Sequence, residues 1–558
     1  MTQDEVLLIA CTKDEVSQLR QFKEEKDKYP SMEFPLDEDV IKRLQSLKSR
    51  IEGRNDDSEI FRCQNDIDAL WAQLLDKAIK CLRYYDGREP FMGSQDKKRP
   101  VAYGIHDLRE YYKKYTDFER VLYGASRYYR DHVVHVFRVW LSGIDQLTRN
   151  GGRCLDHFGI KDVTDKADEI NLTGPEKISM WTIIALTHDL GYPLEKAKGI
   201  LSVTQEMLST FVTNPDISAD FSFHGSQNQM NDMIVRLMSS KMVREKDLYR
   251  SLPCANAEGQ KNDDSVPADY GEEKPFVIRL QHKYYLKFLK SLENNKHGIL
   301  STLIIGKILK YFLESDYSLN DGYGFSREER RQFYIRREIL RSIAAHTCDD
   351  IYQMFMGSFA FLLRICDDAQ EWGRKYITEL YTTSRESHQP SNLELSFNSK
   401  NGVPDNRCEV SEVVTVTALG DVQSIRSLID RFHQQFLVYM TVFRDGQDTQ
   451  KRDFSFYRTQ TITDGYVNIV LSLEIKRGCP AELKVTVTGG PVENTNKDYK
   501  KNLCEEIFSK YKKYTEKSIS PFDLDPKYKD RDGEKPGDDF VWRTFELKLP
   551  PVNESGYL

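Results

Sequence analysis

One apolar run in the chain ends on two residues able to ligate a metal. In WTIIALTHDLGYP (181–193), residues 181–186 lead directly to His188 and Asp189. A histidine and a carboxylate carried into such surroundings are costly unless something there compensates them, and a divalent cation does so directly. The competing reading is a hydrogen-bonded core pair, since the chain has 11 histidines and such pairs arise by chance. A second pair, His106 and Asp107, lies in the charged, tyrosine-rich YGIHDLREYY with no apolar run before it. It reads as a surface pair.

Other candidates occupy comparable places. In SRYYRDHVVHVFRVWLSG (126–143), read as a helix ended by Gly143, His132 and His135 lie three apart on one face. Asp131 stands one turn before His135, a spacing that suits an outer partner orienting its ring. His297 opens the apolar helix HGILSTLIIGKILKYFLES (297–315). His346 closes SREERRQFYIRREILRSIAAHT (326–347), which starts with a capping box of Ser326 and Glu329. In MGSFAFLLRICDDAQEWGR (356–374), steps of three and four back from Asp367 reach Arg364, Leu363, Ala360 and Phe359. The same steps around Asp368 reach Arg364, Glu371 and Trp372, so Asp367 is the better inward acid. His224 and His433 are isolated; His224 reads as structural or surface.

His135, His188, Asp189, His297, His346 and Asp367 thus offer four imidazoles and two carboxylates. Nitrogen and oxygen donors suit a divalent transition metal such as Mn, Fe, Zn or Co rather than a thiolate metal. Six ligands exceed one tetrahedral ion and suit two ions about 3.5–4 Å apart, with Asp189 the simplest bridge. Such a pair generates a hydroxide for in-line attack on a phosphoester. Arg138, Arg364 and Lys196, then Lys198, are the cations best placed to stabilise charge on phosphoryl oxygens. Each has an alternative reading as a salt-bridge partner.

The elements that must position these residues are mainly helical. Thr173, Gly174 and Pro175 start the His188 helix, and Gly191 with Pro193 stops it. At 558 residues the chain is too long for one core. Residues 1–98 read as an N-terminal helical region and 99–390 as the metal-binding domain, with 204–275 an insertion whose residues 255–275 form a surface loop. A polar linker covers 391–410. Alternating segments at 411–419, 465–475 and 481–489, with a helix at 421–437, predict an α+β accessory domain over 411–515, followed by an extended tail over 516–558. The net charge of −7 gives no general attraction to nucleic acid. No stretch approaches the roughly 18–20 apolar residues of a membrane span. Ten scattered cysteines without a CxxC pair suit a reducing, cytoplasmic location.

The order H…HD…H…H…D on successive helices resembles the HD-domain superfamily of metal-dependent phosphohydrolases. His135-Val-Phe-Arg138-Val139 is similar to its HxxRV helix, THDLG (187–191) to its second motif, and LLRICDD (362–368) to its closing LLRxxD helix. His297 and His346 match the extra histidines of two-metal members. The resemblance covers about residues 120–380, outside the insertion, and implies an HD-type helical bundle. Tyr192 stands where cyclic-dinucleotide phosphodiesterases carry the lysine of HDIGK, and their GYP signature is missing. Tyr192 also replaces the histidine of the HDxGHP of deoxynucleotide triphosphohydrolases, and Ala197 or a neighbour their later catalytic histidine. Neither branch is assigned. The expected function is hydrolysis of a phosphoester of a nucleotide or related small phosphorylated substrate, possible assembly into homo-oligomers being left open. The alternatives are a nucleotide-binding sensor on the same scaffold and a di-iron oxygenase.

Overall fold

The structure, a computed structural model, describes residues 2–13, 20–29, 32–53, 59–87, 104–125, 131–160, 170–210, 212–213, 226–244, 276–315, 324–348, 356–370, 372–374, 389–400, 403–415, 432, 455–463, 467–476, 480–489 and 541–551. The described chain is mainly helical, with a mixed sheet in its C-terminal part. The helices are α1 (Gln3–Thr12), α2 (Arg20–Lys28), α3 (Glu38–Ile51), α4 (Gln64–Tyr85), α5 (Ile105–Ala125), α6 (Val133–His157) and α7 (Gly174–Thr187). After them come α8 (Tyr192–Leu208), α9 (Ser226–Ser239), α10 (His282–Glu293), α11 (His297–Ile308), α12 (Arg327–Ala345) and α13 (Phe359–Ala369).

Two buried helices lie at the centre. On α7 the side chains from Ile178 to Thr187 are all buried, which is why the helix shows no amphipathic stripe. Its start has the expected form: Thr173 accepts from the Glu176 N–H, and Glu176 answers on the Thr173 N–H at 2.8 Å. Helix α6 packs against it through paired tryptophans. The Trp181 indole donates to the Trp140 carbonyl at 3.1 Å, and the Trp140 indole to the Thr182 hydroxyl at 3.0 Å. Gly143 does not end α6, as its residue type suggested, because the helix runs on to His157. A Cβ at Gly143 would lie 2.0 Å from the Trp181 ring, so the glycine is where the two helices come closest.

The N-terminal helices belong to the same core. One apolar cluster joins Leu8 of α1 and Trp71 of α4 to Trp140, Trp181, Ile343 and Leu363. Trp71 donates from its indole to the Leu186 carbonyl at 2.9 Å, satisfying one of the carbonyls that the end of α7 leaves open. It also stacks on Tyr112 with centroids 4.1 Å apart.

Within the expected insertion, α9 is core rather than appendage, with Val235 and Met238 fully buried. It leads into strand β1 (Ser240–Arg244), which pairs antiparallel with β2 (Phe276–Leu280). The predicted loop at 255–275 and His224 lie outside the described residues.

The expected linker is strand. Strands β3 (Gln389–Lys400) and β4 (Val403–Thr415) form an antiparallel pair, continued by β5 (Ser455–Thr463), β6 (Val467–Lys476), β7 (Pro480–Gly489) and β8 (Val541–Pro551) in sheet order β3-β4-β5-β6-β7-β8. Only the β4–β5 pairing is parallel. The alternation of buried Leu393 and Leu395 about exposed Glu394 was masked by polar flanks. Part of the expected tail supplies β8. The Leu395 N–H donates to the Gln146 amide oxygen at 2.8 Å, joining β3 to α6. The helix expected at 421–437, with His433, lies outside the described residues apart from Phe432.

Gly143→Ala is expected to destabilise the fold by about 1–3 kcal/mol, the range for an extra methyl forced into a packed contact. Urea denaturation reads this, and an unchanged midpoint would mean that Trp181 moves aside at no cost.

Candidate metal centre

Helices α6, α7 and α12 do not contribute alike: α6 presents His135 from its first turn, whereas His188 and His346 cap the C-terminal ends of α7 and α12. Asp189 follows in the turn between α7 and α8, His297 opens α11, and Asp367 sits in the last turn of α13. Glycine lets these segments touch. A Cβ at Gly191 would lie 2.4 Å from the His297 carbonyl oxygen, and one at Gly298 would lie 2.7 Å from the Ile343 carbonyl oxygen and 3.0 Å from the His346 ring. The Ser301 hydroxyl adds a tie, donating to the His188 carbonyl at 2.6 Å and accepting from the Gly191 N–H at 2.8 Å.

All six candidate ligands therefore meet. His135 Nε2 lies 2.9 Å from Asp367 Oδ1 and 3.7 Å from Asp189 Oδ2. His188 Nε2 lies 3.6 Å from Asp189 Oδ2 and 3.8 Å from Asp367 Oδ1. On the other side, Asp189 Oδ1 lies 3.2 Å from His297 Nε2 and 3.5 Å from His346 Nε2. The two oxygens of Asp189 thus face two different pairs of histidines. His135, His188, Asp189 and His346 are buried, while 18% of the His297 side chain and 21% of the Asp367 side chain stay exposed. Solvent reaches the cluster at His297 and at Asp367.

Each ring is held from behind. The Nδ1 atoms of His188 and His346 face the carbonyls of Ala185 and Ile343, His297 Nδ1 lies 2.6 Å from Glu195 Oε2, and His135 Nδ1 meets Gln370 Oε1. The Gln370 amide nitrogen donates to the Trp372 carbonyl at 2.8 Å, which turns its oxygen to His135. These partners accept protons only, so every Nδ1 is the N–H donor and every neutral ring offers a lone pair at Nε2. Four lone pairs aimed at two carboxylates repel unless a proton or a cation sits among them. Among the described residues, the buried Nε2 atoms of His188 and His346 have no hydrogen-bond partner. Buried groups that include His135, His188, Asp189 and His346 could hold a metal ion, and the donor set fits one.

Protein-family models, curated proteins and solved structures searched with this chain return no match. The residues themselves must carry the functional reading.

The described cations expected beside the centre are each paired with a carboxylate. Arg138 is wholly buried and grips both oxygens of Asp4, at 2.9 and 2.7 Å, because α1 packs along α6. Arg364 pairs with Asp368 at 2.9 Å and donates to the His346 carbonyl at 2.7 Å. Lys196 lies 3.2 Å from Glu195 and over the Tyr192 ring, and the Lys198 side chain lies outside the described residues. Asp131 does not touch the His135 ring. Its oxygens accept the backbone N–H groups of Val134 and His135, capping α6. His106 and Asp107 are exposed, as read.

The ring-orienting residues Gln370 and Glu195 were not singled out. Gln370 could have been found three residues beyond Asp367, but nothing in the sequence separates Glu195 from the other acids.

The electrostatics of the cluster follow from this packing. Burial favours neutral Asp189, yet His188, His297 and His346 outweigh it and hold the carboxyl well below its usual range. Asp367 is held down likewise by His135 and His188. Burial lowers His135 and His346. It also opposes charge on His297, but Asp189 and Glu195 prevail and lift that ring to about 9. Burial would raise Glu195, and His297 instead brings it to about 2.

The raised His297 favours folding fully below its ordinary value of 6.5, and that contribution is lost as pH rises through about 9. The depressed Glu195 contributes above its ordinary 4.5 and loses this as pH falls through about 2. In chelator, the melting temperature of the wild type is expected to decline between pH 6.5 and 9 more steeply than that of His297→Gln; parallel profiles would refute the pairing. Glu195→Ala is expected to weaken metal binding by about 10–100-fold, the usual cost of losing a ring-orienting partner, as read by competition with a chromogenic chelator.

Proposed function

We propose that this chain is a metal-dependent phosphohydrolase cleaving a phosphoester of a nucleotide or a related small phosphorylated substrate. The observation that supports the reading is the division of Asp189, with one oxygen toward His135 and His188 and the other toward His297 and His346. A carboxylate so shared is the bridge that a two-ion centre needs. In this reading His135, His188, Asp367 and Asp189 hold one divalent transition-metal ion (Mn, Fe, Zn or Co), and His297, His346 and Asp189 hold the other. When bound, the ions supply a water of lowered pKa and a Lewis acid for the phosphoryl oxygens.

The chain's own residues prepare the site. Ala185, Ile343, Glu195 and Gln370 keep the ring protons at Nδ1, leaving the Nε2 lone pairs for ligation. The buried bodies of α7 and α12 exclude water from behind the cluster, so substrate approaches past His297 and Asp367. Ligands drawn in the order H…HD…H…H…D from successive helices support assigning the helical part to the HD-type bundle.

Purified protein is expected to carry Mn, Fe, Zn or Co by elemental analysis, and to release phosphate from a nucleotide panel after loading with Mn. A His188→Ala/Asp189→Ala double variant is expected to fall below about 1% of the wild-type rate, since losing ligands costs more than losing an orienting partner. Equal phosphate release by both proteins would show that the activity arises elsewhere. Nucleotide binding without turnover by the loaded wild type would replace the enzyme with a sensor.

A further inference from the structure

With Arg138, Arg364 and Lys196 each committed to a carboxylate, the centre needs another cation to meet an anionic substrate. Arg374 meets the requirement. Its Nε donates to the Asp131 carbonyl at 3.1 Å and its Nη2 lies 3.3 Å from His132 Nε2. Among the described residues no carboxylate pairs with it, and Nη1 is uncommitted. Asp131 offers Arg374 only its carbonyl, because its carboxylate is used by the N–H groups that begin α6.

The guanidinium is half-buried and lies beside the cluster. Arginine only donates, so His132 Nε2 accepts and that ring is neutral; burial and the Arg374 charge both favour this. His132 stacks on Tyr192 with centroids 3.6 Å apart, and Tyr192 meets His297 edge-on at 5.3 Å. The His132 and His135 rings are 6.0 Å apart. Arg374 is therefore tied to a ring that neighbours His135 directly and His297 through Tyr192.

Its position is built rather than incidental. Gly373 has a φ of +66°, and a Cβ there would lie 2.6 Å from the Arg138 guanidinium, so only glycine makes this turn over the buried arginine. Arg138 Nη1 donates to the Trp372 carbonyl at 3.1 Å, and the Trp372 indole donates to Asp4 Oδ1 at 3.0 Å. The same carbonyl takes the Gln370 amide. One buried clamp thereby fixes Gln370 behind His135 and, across the turn, Arg374 beside His132.

We propose that Arg374 binds the phosphoryl group of the substrate, and that Asp4, Arg138 and Trp372 are positioning residues for it. The inference rests on the phosphohydrolase reading and names its anion contact. A planar guanidinium matches two phosphoryl oxygens at once, and a partly desolvated one without a carboxylate partner has no competitor to displace.

The test compares full-length, Mn-loaded wild type with Arg374→Lys and Arg374→Ala, measuring metal content, affinity for inorganic phosphate by calorimetry, and kcat/KM on the nucleotide the wild type cleaves. Arg374→Ala is expected to keep its metal, to lose at least about tenfold in phosphate affinity and to lose about 100-fold in kcat/KM, the scale for removing one donor to a developing anion. Arg374→Lys should fall between, and added guanidinium should partly restore Arg374→Ala. Wild-type phosphate affinity in Arg374→Ala overturns the proposal, as does a loss of metal that accounts for the defect. If the wild type hydrolyses nothing, the phosphohydrolase reading fails, and the phosphate titration still decides whether Arg374 holds an anion. Asp4→Asn, compared at equal metal loading, should weaken phosphate binding and add nothing in combination with Arg374→Ala; additive losses would detach the clamp from Arg374.

Discussion

Everything around the centre answers to the burial of Asp189. A carboxylate placed just past the end of a buried helix is tolerable only if positive charge stands beside both of its oxygens. His135 and His188 lie off one oxygen, His297 and His346 off the other. Four helices must therefore end or begin within a few ångströms of one turn. The small residues at Gly191 and Gly298, and the Ser301 hydroxyl that bridges to the His188 carbonyl, are what allow so close an approach.

A second demand follows from the first. An imidazole points usefully at a cation only when its far nitrogen is fixed, and here each far nitrogen has an acceptor of its own. Two acceptors are the carbonyls left open at helix ends, at Ala185 and Ile343, so α7 and α12 orient their own terminal histidines. The other two are side chains, Glu195 and Gln370, brought by α8 and by the segment after α13. Helix termination and ligand orientation are the same event at His188 and His346.

The N-terminal helices take part in this construction. Trp71 closes the Leu186 carbonyl just ahead of the His188 turn, and Asp4 anchors Arg138 and Trp372 beneath the segment carrying Gln370. These contacts join residues far apart in the chain through buried polar groups, where the low dielectric makes each hydrogen bond costly to break. The C-terminal sheet meets the same body through β3, whose Leu395 N–H and Leu393 carbonyl are both taken by Gln146 of α6.

The six clustered residues were legible in the sequence because apolar turns that end on a polar residue leave a local trace, and because the spacing of Asp367 and Asp368 set one inward and the other toward Arg364. Helical character was legible for the same reason of periodicity. What sequence could not supply was any contact between distant segments. Whether Arg138 met substrate or Asp4 depended on where α1 packed, Gly143 read as a helix stop until Trp181 was beside it, and the polar stretch at 391–410 became strand only when β3, β4 and β5 lay together. Side-chain type and spacing determine which groups a helix can bury, whereas the partner each buried charge receives is decided by packing between elements that the chain's order leaves unspecified.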